Sequence, residues 1–160
     1  MTVPPPNRVP WPPLIFGGLA VVALGLGQVA PGPEFLDERP WRLLGWLMLG
    51  LGIGLDALAM VTMWQHEANI LPHRPATALV TTGIFAWTRN PIYLGNTIAL
   101  VGLGLVLCNG WLALAAAVAA PLVLQLAILR EERHLALRFG AAWIDYQSRT
   151  RRWFGRHEDP

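Results

Sequence analysis

The stretch WTRNPIYLGN, residues 87–96, sets Arg89, Asn90, Pro91 and Tyr93 at the start of an apolar run, and LREER further along sets Glu131 and Glu132 at the end of another. A guanidinium recognises carboxylate or phosphate through paired N–H donors. Asn-Pro is a helix-start signal, with asparagine suited to cap the free N–H groups and proline preorganised for the first helical position. The positive end of that helix also attracts anions. Tyr93 and Asn96 stand three apart and share a helix face. Brought together, these groups suit a zwitterionic small molecule, its carboxylate toward Arg89 and the helix end, its ammonium or hydroxyls toward the glutamates. Taken singly they read more plainly. Arginine and tyrosine are ordinary membrane-boundary anchors, and adjacent glutamates beside Arg130 and Arg133 are an ordinary solvated face.

What must position them is a set of membrane helices. Of 160 residues, 54% are hydrophobic and 14% charged, a balance outside that of soluble domains. Apolar stretches at 14–30, 41–64, 91–107 and 111–129 approach the ~30 Å hydrocarbon core at 1.5 Å per residue. The expected fold is all-α, an integral membrane helical bundle of about four transmembrane helices plus a cytoplasmic C-terminal amphipathic helix. It reads as a single membrane domain over 1–160: a two-helix packing unit at 14–64, then a cofactor-binding loop, helix hairpin and C-terminal helix at 65–160. The third and fourth spans are joined only by CNG. They form an antiparallel hairpin, which places Arg89, Asn90 and Tyr93 beside Glu131 and Glu132.

All twelve basic residues are arginine, and seven lie between Arg130 and Arg156. Arg8, Arg74 and Arg89 flank the spans on the same side, whereas the 31–40 loop carries Glu34, Asp37 and Glu38. The positive-inside rule puts both termini and the 65–90 loop in the cytoplasm, and an even number of spans requires the same. A secretory signal peptide fits the first span poorly, because its leader is proline-rich with a single Arg8 and Val29-Ala30 precedes Pro31. The arginine-only, alanine-rich composition suggests a GC-rich bacterial genome and hence an inner membrane. Cys108 has no cysteine to pair with, and no nucleic-acid partner is expected.

Within the second span, Gly50 and Gly54 form a GxxxG, suited to packing inside the bundle or to a homodimer. Asp56, an ionisable group at membrane depth, calls for a partner or a polar cavity and is a candidate substrate-binding residue. Residues 65–90, punctuated by Pro72, Pro75 and Gly83, read as an irregular working loop. His66, Glu67 and His73 lack metal-ligand spacing, so no metal is expected. The fourth span runs on into Arg130–Arg133, ends its helix at Gly140, and is followed by AAWIDYQSRTRRWF, an amphipathic stretch suited to an anionic surface.

The ordered combination ALVTTGIFAWTRNPIYLG, then EERHLALRFGAAWIDYQSRTRRW, resembles the isoprenylcysteine carboxyl methyltransferase family and its bacterial, phospholipid methyltransferase-like relatives. The match runs from about Thr77 to Tyr146. The resemblance implies a membrane methyltransferase that uses S-adenosylmethionine, held by the loop before the third span and the glutamates after the fourth, with a lipophilic acceptor, carboxylate or amine, and membrane lipids around it. Carried over residue by residue, Leu79, Val80, Phe85, Asn90, Pro91, Tyr93, Glu131 and Glu132 would bind cofactor. Arg89 and Glu131 would act in catalysis, Arg89 by orienting a carboxylate, and Arg130 with Asp56 would face the substrate. Asn90 stands where relatives often have histidine, and it cannot titrate. Trp143 stands where they have tyrosine, which suits packing or membrane contact. Two other readings are an NADPH-binding, sterol-reductase-like protein and a non-enzymatic membrane packing or assembly subunit.

Overall fold

The computed structural model describes residues 9, 11–31, 34–69 and 76–156; Arg8, Pro72, His73, Arg74 and Pro75 fall outside them. The chain is an all-α membrane bundle: α1 (Trp11–Val29), α2 (Arg39–Gln65), α3 (Pro91–Val106), α4 (Gly110–Val123), α5 (Leu129–Phe139) and α6 (Ala141–Arg149). A π-helical segment, Leu124–Ile128, joins α4 to α5, so the backbone coils without a break from Gly110 to Phe139. This long helix, α1 and α2 are each long and apolar enough to cross a membrane. At 16 residues α3 is shorter, about 24 Å. Val21, Val22, Leu43, Leu47, Leu51 and Leu58 are more than half exposed on the bundle's outside, where hydrocarbon rather than water is their natural medium.

Two kinds of contact hold the bundle. Between α1, α3 and α4 the core is small and aliphatic: Leu112, Ala119, Val123, Ala127 and Ile128 are fully buried, along with Phe16, Ala23 and Leu100. Between α2 and α3 the backbones themselves meet. A Cβ on Gly52 would stand 2.5 Å from the Gly95 carbonyl oxygen and 2.6 Å from the Ala99 nitrogen. One on Gly45 would stand 2.8 Å from the Val106 nitrogen and 2.9 Å from the Gly102 carbonyl. Backbone cannot move aside, so only glycine serves at this antiparallel seam.

Gly50 and Gly54, the GxxxG pair, have nothing within 4 Å. The expectation that this pair packs helices inside the protein is therefore corrected, because the spacing points outward and the internal contact uses Gly45 and Gly52. Asp56 packs against α3 at Gly95, and its buried Oδ1 has no hydrogen-bond partner.

The predicted hairpin is present. Cys108 takes a positive φ of 53°, and Asn109 caps α4, its side chain accepting from the Trp111 N–H at 3.0 Å. The same amide donates to the Ala23 carbonyl of α1 at 3.1 Å, tying the turn to its neighbour. Near the other end of α4, Pro121 sits inside the helix and supplies no N–H to the ladder. The π segment begins three residues later, re-aiming the helix before it delivers the glutamates. In the first turns of α3, Asn96 and Thr97 bond back to the carbonyls of Ile92 and Tyr93, each at 2.8 Å, so neither polar group enters the membrane unsatisfied.

Candidate functional site

The 76–90 segment is irregular except for one 3-10 turn, Gly83–Ala86, and it is anchored at both ends. Near its start the Thr77 hydroxyl accepts from the Asn69 N–H and donates to the Glu67 carbonyl, both at 2.8 Å. The Ala76 N–H donates to His134 Nε2 at 3.3 Å. Gly83 has φ +59 and lies over Thr62, a conformation and a spacing that disfavour any side chain. Toward α3 the loop is bound by the C-terminal chain, which returns after α6. The Tyr146 hydroxyl donates to the Phe85 carbonyl at 2.7 Å, the Arg89 N–H to the Arg151 carbonyl at 3.1 Å, and the Gly155 N–H to the Trp87 carbonyl at 2.8 Å.

Asn90 occupies the N-cap position of α3 with Pro91 behind it, but its side chain makes no cap bond. The expected side-chain cap is corrected: the Asn90 amide donates instead to the Arg152 carbonyl at 3.1 Å. The Asn90 N–H goes to Thr88 Oγ1 at 3.1 Å, and that fully buried hydroxyl donates to the same Arg152 carbonyl at 3.3 Å. The returning chain claims the asparagine that sequence assigned to its own helix.

Loop, α3 and α5 close on a cavity of about 370 Å³, within the size range of small-molecule sites. Leu79, Val80, Phe85, Asn90 and Pro91 line it, as do Arg89, Tyr93, Glu131 and Glu132. Arg130 is exposed on the outer face of its helix, and neither it nor Asp56 reaches the cavity wall. Trp143 does line it and is buried, so its place is in packing rather than in membrane contact. Pro12, Pro13 and Phe16 of α1 with Met60 and Met63 of α2 form an apolar flank.

The hairpin joins the two charged clusters as expected. The Tyr93 hydroxyl donates to Glu131 Oε1 at 2.8 Å, and Arg89 Nη2 lies 3.5 Å from Glu132 Oε1. Glu132 is taken chiefly by Arg152, whose Nε and Nη2 donate to its two oxygens at 2.9 and 2.7 Å. That bidentate pairing raises the Arg152 pKa. The guanidinium of Arg89 lies over the Trp143 ring at 5.5 Å from its centroid, and its side chain is 7% exposed. Burial lowers its pKa, against the opposing pull of Glu132, and burial raises that of the Tyr146 phenol. Among the described residues Arg89 Nε and Nη1 have no hydrogen-bond partner, and no cation pairs with Glu131.

Sequence reasoning passed over Arg152 and His134, and it placed Tyr146 in the motif without giving it a task. Arg152 stood among undifferentiated arginines, and His134 was passed over within EERHL although it lies one turn beyond Arg130. Buried His134 lines the cavity and holds the loop at Ala76. No group of three His, Cys, Asp or Glu side chains converges among the described residues.

Fold and site define a polytopic membrane protein with a charged cavity at the polar end of its helices. The chain belongs to the phospholipid methyltransferase family, whose model matches residues 41–142, in agreement with the resemblance read from its motifs. It is 35% identical over 136 residues to the nickel-cobalt-cadmium resistance protein NccN of Alcaligenes xylosoxydans xylosoxydans, covering 85% of this chain and 62% of that protein. It is 29% identical over 121 residues to the protein-S-isoprenylcysteine O-methyltransferase of Rattus norvegicus and 28% identical over 121 residues to that of Homo sapiens. Each of those alignments covers 74% of this chain and 42% of the methyltransferase. No solved structure matches the chain.

Proposed function

We propose that the protein transfers a methyl group from S-adenosylmethionine to a lipophilic acceptor, a carboxylate or an amine, at the cytoplasmic face of a bacterial inner membrane. One observation carries this reading. A guanidinium more than nine-tenths buried, with two donors unpartnered among the described residues, lines the same cavity as a carboxylate that no cation among those residues neutralises. An unpaired buried polar group is costly, and a zwitterionic amino-acid moiety would satisfy both groups at once. Family membership and the named isoprenylcysteine methyltransferases support the same chemistry.

In this reading Arg89 Nε and Nη1 hold the cofactor's carboxylate and Glu131 its ammonium, while Leu79, Val80 and Phe85 cover the nucleoside. When bound, the cofactor supplies an electrophilic methyl on a sulfonium. The protein's part is positioning and exclusion of water, which can supply ~7–11 kcal/mol of a barrier when reactants are well oriented. Tyr93 fixes one oxygen of Glu131 by its hydrogen bond, and the 76–90 loop, pinned by Tyr146 and the returning chain, closes the polar side. The apolar flank from α1 and α2 faces the region from which a lipid tail would arrive.

Isothermal titration of the detergent-solubilised protein with S-adenosylmethionine tests the assignment. Arg89→Ala and Glu131→Ala should each abolish binding while the melting temperature stays within a few degrees of wild type. Wild-type affinity in both variants would overturn the site, and stabilisation by NADPH alone would favour a reductase.

A further inference from the structure

The polar end sets two arginines, Arg89 and Arg152, against two glutamates, Glu131 and Glu132, and Arg152 lies past Tyr146, where the match to the family ends. Glu132 has two arginines within reach and divides itself unequally between them. Arg152 takes both oxygens, at 2.9 and 2.7 Å, while Arg89 reaches only one, at a loose 3.5 Å. Charge-assisted N–H···O bonds close at about 2.7–2.9 Å, so the Arg89 contact is a Coulombic neighbour and not a formed bidentate pair. The cause is geometric. The backbone carbonyl of Arg152 is held by Thr88 Oγ1 and the Asn90 amide, and flanking bonds run from Arg89 to Arg151 and from Gly155 to Trp87. Gly155, with φ +104, turns the chain there, and Trp87 stacks on Phe154 at 6.3 Å between centroids. The Arg152 side chain is thus delivered to Glu132 from a fixed backbone position.

We propose that Arg152 is a positioning residue that holds Glu132 back from Arg89 and so keeps Arg89 Nε and Nη1 open to the ligand's carboxylate. Without it, Glu132 would be a nearly buried carboxylate whose remaining ion-pair partner among the described residues is Arg89. It would close on that guanidinium in the fork geometry the two groups favour and occupy donors the ligand needs. Arg152 therefore acts on ligand affinity through a carboxylate, without touching the ligand.

The inference rests on the proposed role of Arg89, and a double substitution separates the two. In detergent, Arg152→Ala should bind S-adenosylmethionine about tenfold or more weakly, as expected when a charge-assisted contact is lost to a competitor. Adding Glu132→Gln should recover most of the lost affinity, because the competitor for Arg89 is gone. A purely structural strap predicts the opposite, since removing a second partner would deepen the loss. Arg152→Gln, which keeps a donor of similar reach, serves if the alanine variant melts near the assay temperature. Wild-type affinity in Arg152→Ala and Arg152→Gln, or a double variant no better than the single one, overturns the clamp while leaving the Arg89 site standing. Wild-type protein that binds no S-adenosylmethionine overturns the site and the clamp with it.

Discussion

The α2–α3 seam and the polar end solve opposite problems. At the seam two backbones touch, and the contacts are set by the absence of a side chain at Gly45, Gly52, Gly95 and Gly102. At the polar end nearly every contact is a directed bond: hydroxyl to carboxylate, guanidinium to carboxylate, amide to carbonyl. In hydrocarbon the driving force between helices is close packing, so shape alone does the holding there. At the interface the chain must bury backbone polar groups of an irregular loop, and those have to be paired. One region should therefore fail through size and the other through polarity.

Three substitutions probe that contrast, each followed by thermal unfolding in detergent. Gly52→Ala, which adds one methyl and no polarity, should be the most damaging, at roughly 2–4 kcal/mol, because its Cβ meets immovable backbone. Thr88→Val keeps the shape of a fully buried side chain but removes the hydroxyl that joins Asn90 to Arg152. It should cost about 1–2 kcal/mol through the buried Asn90 N–H it leaves unsatisfied, while the Arg152 carbonyl keeps its bond from the Asn90 amide. A neutral Thr88→Val would show that the polar end is also held by shape. Gly50→Ala, in open space on the same helix as Gly52, should be neutral or stabilising by up to about 1 kcal/mol. A loss there would mean that something covers the outward GxxxG face in solution.

Much of the fold could be read from sequence because hydrocarbon imposes a length, and four apolar runs met it or nearly did. The pairing of Arg89 and Tyr93 with the glutamates followed from the short CNG turn, since a hairpin leaves little freedom in which ends meet. The seam was misread because GxxxG is a spacing within one helix, whereas contact also depends on which face turns inward. Gly45 and Gly52 stand seven apart and oppose Gly102 and Gly95, likewise seven apart. Asn90 carried every local sign of a capping side chain and was diverted by a carbonyl far along the chain. Arg152 was invisible for the same reason: its role depends on a return of the backbone after α6 that no periodicity announces. Asp56 was assigned toward the substrate from its charge alone, yet it lies against Gly95 and away from the cavity.

The π segment at Leu124–Ile128 lets one continuous helix keep two phases. Below it, the alanine face of α4 meets α1 and α3; beyond it, the helix must turn its glutamates toward Arg89 and Arg152. One residue of α-helix is a rotation of about 100°, so a single residue inserted or deleted between Pro121 and Glu131 would leave the membrane half seated while swinging the carboxylates off the cavity wall. The length of that short apolar stretch, more than its composition, therefore sets where the carboxylates point.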